Sequence, residues 1–129
     1  SNLSEKRIAV LGLAFKANTD DIRDSRAVIL INQLLSYGSE VIAYDPVAMS
    51  NMKKDYPTLN YAKSVEDAAK NAHAIVIMTD WNEFRGLDLS NIGELMMDKI
   101  ILDAKNLLSR EELASNGFIF EGVGRPYEY

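Results

Sequence analysis

KRIAVLGLAFKANTDDIRDSRA, residues 6–27, opens as a strand and then departs from the dinucleotide pattern where a phosphate would sit. The apolar run from Ile8 closes at Gly12, as in a central parallel strand buried on both faces. A nucleotide-binding first strand would pass into G-x-G-x-x-G, whose glycines let backbone amides approach a pyrophosphate. Here the turn reads Gly12-Leu13-Ala14-Phe15-Lys16. One glycine remains, and an aromatic ring and a cation follow it. Such a loop suits an anion met by a side-chain charge rather than by a backbone cradle.

Outward from this stretch, apolar strands alternate with amphipathic segments, which predicts a parallel sheet covered by helices. Arg26 to Tyr37 reads as a helix, with Val28, Ile31 and Leu34/Leu35 on one face, Ser25 or Asp24 as its cap, and Gly38 just past its end. Glu40 to Tyr44 is a second strand stopped by Asp45-Pro46. Ala48 to Asp55 is weakly helical, and Leu59 to Ala62 is a short third strand. Ser64-Val65-Glu66-Asp67 resembles a capping box that opens a helix to Asn71. Ala74 to Met78 is the clearest buried strand. A short helix over Ile92 to Met97, a strand over Lys99 to Leu102, a helix over Ser109 to Ser115 closed by Gly117, and a strand over Phe118 to Phe120 complete the pattern. Met96 and Met97 read as core filler. The expected architecture is α/β: a Rossmann-like parallel sheet with helices on both faces, in a single domain.

At 129 residues the chain has room for one domain with a proper core. Residues 1–3 read as a processing scar or linker remnant, because Ser1-Asn2 lacks an initiator Met; residues 4–129 form the domain. No run approaches a membrane span. The net charge of −5 argues against a nucleic-acid surface. Having no cysteine removes disulfides, thiolate metal sites and thiol catalysis together, and a single histidine, His73, leaves little for a His-based metal site or triad. A cytoplasmic location is the expectation.

Open α/β sheets bind ligands beyond the carboxyl ends of their strands, where strand order reverses. Phe15, Lys16 and Thr19-Asp20-Asp21-Ile22-Arg23 follow the first strand; Thr79, Asp80, Trp81 and Asn82 follow the fourth; Asp103, Lys105 and Asn106 follow the fifth. In a 3-2-1-4-5 order these groups share one rim, and Lys16 and Lys105 bring two cations to one crevice, a pyrophosphate seat. Taken singly, each has a plainer reading. Lys16 is a solvated loop lysine, Arg23 joins a surface ion-pair cluster with Asp20, Asp21 and Asp24, Trp81 is a buried structural residue, Asp45 shapes its turn, and His73 is surface. Recurrence after several strands is what favours a site.

LGLAFKANTDDIRDS resembles the opening of the C-terminal, UDP-binding domain of the UDP-glucose dehydrogenase family, which includes GDP-mannose and UDP-N-acetylmannosamine dehydrogenases. The resemblance continues through AIVIMTDWNEFRGLD, the DAKN turn and the closing VGRP. It implies a parent enzyme with an N-terminal NAD domain, a central helical segment and this nucleotide-sugar-binding domain. The parent would oxidise the C6 alcohol of UDP-glucose twice, to a carboxylate, through a thiohemiacetal on a cysteine, in the setting of polysaccharide biosynthesis. A UDP-N-acetylmannosamine or GDP-mannose dehydrogenase is the alternative. The resemblance also implies that Phe15 and Lys16 contact the nucleotide sugar and that Arg23 reaches NAD held mainly by the other domain. Lys105 stands where the family usually has a substrate-contacting arginine. The cysteine nucleophile and the NAD fingerprint are absent from this chain, so alone it is expected to be inactive, within a homo-oligomeric parent.

A different class, a phosphoacceptor signalling domain, is loosely mimicked by Asp20-Asp21, Thr79 and Lys105. It needs an acceptor aspartate ending the third strand, where this chain has Ala62-Lys63-Ser64. A stand-alone NAD module fails on the missing glycines.

Overall fold

The computed structural model describes residues 4–122; Ser1–Leu3 and the VGRP motif lie outside the described residues. Six strands form one sheet: β1 (Arg7–Leu11), β2 (Glu40–Tyr44), β3 (Asn60–Tyr61), β4 (Ala74–Ile77), β5 (Ile100–Asp103) and β6 (Ile119–Gly122), ordered β3-β2-β1-β4-β5-β6. Every neighbouring pair is parallel. The helices are α1 (Arg26–Ser36), α2 (Met49–Asp55), α3 (Val65–Ala69), α4 (Asn82–Arg85), α5 (Leu89–Leu95) and α6 (Arg110–Ser115). Among the described residues, no helix is long and apolar enough to cross a membrane.

Alternation along the strands divides the core in two. Ala9 and Leu11 of β1 join Ile75 and Ile77 of β4 under α3, α5 and α6, while Ile8 and Val10 face α1 and α2. On that second face both helices belong to the β1–β2–β3 half. At the other end of the sheet Ile100 and Ile119, register partners in β5 and β6, stay exposed.

Most predicted elements stand within two residues of their expected ends. Ser64 caps α3 by accepting from the Asp67 N–H at 3.0 Å, and Asp67 reaches back to the Lys63 N–H. Gly38 and Gly117 follow α1 and α6 with positive φ. Three expectations need correction. Ser25 is the N-cap of α1, but its hydroxyl does not cap the helix; it donates instead to the Leu13 carbonyl. Met96 is buried, whereas Met97 is 62% exposed, because α5 has ended at Leu95 and successive extended residues point opposite ways. His73 is half-buried, and its Nδ1 accepts from the Arg7 N–H at the start of β1.

Candidate functional site

Register brings the last strand residues into one row: Tyr44, Leu11, Ile77 and Asp103 are successive cross-strand partners. The turns that leave these four residues therefore meet at one edge of the sheet. Strand order reverses between β1 and β4, where crossovers leave in opposite directions and open a crevice.

The chain after β1 is held there from three sides. Gly12 adopts φ +95°, and a Cβ on it would come within 2.5 Å of the Thr79 side chain, so the close approach of β1 and the β4 turn requires glycine. Thr79, fully buried, donates its hydroxyl to the Ala14 carbonyl at 2.9 Å. Asp45, also fully buried, accepts at Oδ2 from the Leu13 N–H (2.7 Å), the Ala14 N–H (3.2 Å) and the Trp81 indole N–H (3.2 Å). Its Oδ1 accepts from Val47 and Ala48 N–H at 2.9 and 2.8 Å. With Ser25 on the Leu13 carbonyl, every backbone polar group of Leu13 and Ala14 has a partner. These contacts make a rigid footing.

Immediately beyond that footing the chain turns outward. Phe15 is 44% exposed and Lys16 is exposed, with its ammonium 5.4 Å from the Phe15 ring centroid. The Phe15 N–H donates to the Asp21 carbonyl and the Asn51 side chain donates to the Asp20 carbonyl, which folds residues 15–21 into a closed loop tied to α2. An exposed ring and cation on a pinned base can receive an anionic group bearing a flat ring or sugar.

Lys105 is exposed in the turn after β5. That turn is shaped by buried Asp103, which accepts from the Lys105 and Leu108 N–H groups, and by Asn106 at φ +56°. β4 separates β1 from β5, so the two lysine-bearing turns spring from strands about 10 Å apart. They share the rim.

Arg23 faces solvent and pairs with Asp21: Nε lies 3.0 and 3.1 Å from the two carboxylate oxygens, and a terminal nitrogen lies 2.7 Å from Oδ2. This bidentate contact, with the Arg23 N–H added, holds the Asp21 carboxyl down at about 2. A carboxyl lowered on folding stabilises above its unfolded value of 3.8, and that contribution is lost as pH falls through about 2. An NMR titration of Asp21 should therefore give a midpoint near 2, rising toward 3.8 in Arg23→Gln. An unchanged midpoint would show that Arg23 is not the partner.

Trp81 is buried and structural, the plainer of its two readings. Asp45 does shape its turn, and beyond that it grips the β1 loop, for which its place after β2 is the one signal in the sequence. The α4 turn has no counterpart among the predicted elements. It brings Glu83 to the Tyr44 hydroxyl, which donates to both carboxylate oxygens at 2.9 Å. Burial, then this acidic neighbour, pushes the phenol up to about 12.

Residues 9–110 match the family model described as the UDP-glucose/GDP-mannose dehydrogenase family, UDP binding domain. A UDP-glucose 6-dehydrogenase of Haloferax volcanii is 48% identical over 111 residues, covering 86% of this chain and 25% of its own length. One from Rhizobium meliloti is 42% identical over 120 residues, covering 93% and 28%. The solved UDP-D-ManNAc dehydrogenase of Pyrococcus horikoshii superposes with a TM-score of 0.77 at 38% identity, covering 95% of this chain and 26% of its own. The chain thus spans about a quarter of the length of these relatives. A match over this much of the chain, on a sheet with the expected strand order, means that the chain belongs to the UDP-glucose/GDP-mannose dehydrogenase family and carries its UDP binding domain.

Proposed function

We propose that this chain seats the nucleoside diphosphate of a UDP-sugar for an NAD-dependent UDP-glucose 6-dehydrogenase, whose remaining domains carry the nucleophile and the cofactor. The observation that supports this reading is the exposed Phe15–Lys16 pair on a base whose Leu13 and Ala14 backbone groups are all paired. Phe15 packs against the ligand, Lys16 meets the diphosphate, and Lys105 approaches from the β5 turn. Holding a remote, non-reacting group converts binding energy into orientation at the sugar C6. NAD, when bound to the parent, accepts the hydride. The β1 loop of this chain does not fit it, since the Leu13 and Ala14 amides already donate to Asp45. Arg23 is the candidate contact to that cofactor.

Calorimetry on the chain tests the reading. UDP should bind, and Lys16→Ala should weaken it roughly tenfold to hundredfold, the worth of a hydrogen bond to a charged group, about 1.5–3 kcal/mol. Lys16 is exposed, so the melting temperature should hold. Lys105→Arg should keep or improve affinity, because a guanidinium adds a second hydrogen bond to a phosphate. NAD binding tighter than UDP, or an unaffected Lys16→Ala variant, would overturn the assignment.

A further inference from the structure

Dinucleotide folds set their pyrophosphate on backbone N–H groups just after the first strand, and an acid at the end of the second strand takes the ribose hydroxyls. This chain has residues at both positions. Gly12, Ala14 and Ala17 keep the fingerprint spacing with alanines in its second and third places, and Asp45 directly follows β2. The acid does not point out toward a ribose. It is fully buried, and one of its oxygens accepts from the Leu13 and Ala14 N–H groups of the β1 loop. The Trp81 indole and the Val47 and Ala48 amides complete five donors around one carboxylate. Residues 15–25 then intervene before α1 begins at Arg26, whereas the dinucleotide pattern enters its helix at once.

We propose that Asp45 is a specificity-determining residue: its carboxylate is the loop's resident anion, occupying the amides that a dinucleotide pyrophosphate would otherwise take. Two effects act together. The amides are committed, and a fixed negative charge repels a second anion from the same place. A phosphate entering the crevice is thereby moved outward, to the side chains that come after Ala14. The proposal stands whether or not the ligand proves to be a UDP-sugar.

Inorganic pyrophosphate is the probe, added to the chain and to Asp45→Asn. Asparagine keeps the shape but removes the charge and one side's capacity to accept. Its pyrophosphate affinity should rise about tenfold or more, with the Leu13 and Ala14 amide resonances moving on addition. A carboxylate that only braced the fold would lower the melting temperature and leave anion affinity where it was. A folded Asp45→Asn with wild-type pyrophosphate affinity overturns the proposal. Should that variant fail to fold, the unmodified chain decides. In millimolar pyrophosphate its Leu13 and Ala14 amides should move less than those of Phe15 and Lys16, and larger movement at Leu13 and Ala14 means that Asp45 does not close the seat. UDP is run in parallel: failure of UDP to bind removes the proposed function and leaves the pyrophosphate result intact.

Discussion

Gly12→Ala is expected to lower the stability of the domain by about 3–5 kcal/mol, from left-handed backbone strain and overpacking together. The new methyl would stand 2.5 Å from both Cβ and Oγ1 of Thr79 and 2.8 Å from its backbone nitrogen, with φ at +95°. The side chain cannot swing aside, because Thr79 is fully buried and tied to the Ala14 carbonyl. Relief requires β1 and the β4 turn to separate, which opens the crevice where the ligand is expected. A fall in Tm on the order of 15 °C should follow in thermal denaturation. Gly86→Ala is the control, since a Cβ there meets nothing within 4 Å, and it should melt as the parent does. Equal melting of the two variants would mean that the strands do not approach as described.

Phe84→Ala should cost about 3–5 kcal/mol, the usual loss for emptying a fully enclosed aromatic site. Phe84 has no exposed surface and meets the Tyr44 ring edge-on, centroids 6.3 Å apart. Its consequence reaches the site, because the Phe84 N–H donates to the Trp81 carbonyl and Trp81 in turn donates to Asp45. Urea denaturation should show a lower midpoint with an unchanged slope. The fluorescence of Trp81, the chain's one tryptophan, should shift red as water reaches the indole. Phe84→Leu should retain much of the stability; an alanine variant as stable as the parent would place the ring outside the core.

Strands were legible because residues 8–11, 41–44 and 74–77 are unbroken apolar runs, a pattern that a doubly covered sheet demands and a solvated segment does not tolerate. α3 was legible from Ser64 and Asp67, whose capping chemistry is local. α4 was not, since four residues make a single turn with no period to detect. Lys16 and Lys105 could be placed on one rim from strand order alone. Asp45 could not be understood that way. A lone carboxylate after a strand looks the same in sequence whether it faces water or gathers five donors from three separate turns, and only the fold brings Leu13 and Trp81 to it. The Arg23–Asp21 pair agrees with the bland reading of that cluster, narrowed to one acid.

The two ends of the sheet differ in how they would meet another strand. β3 is two residues long, too short to template a neighbour, while β6 has four and carries Ile119 with 70% of its surface in water beside exposed Ile100. Aggregation into fibres needs two complementary sticky edges per molecule, so that each addition leaves a fresh one. Among the described residues, the β6 end offers such an edge and the β3 end does not. A charge at Ile119 is the change that would blunt the β6 end.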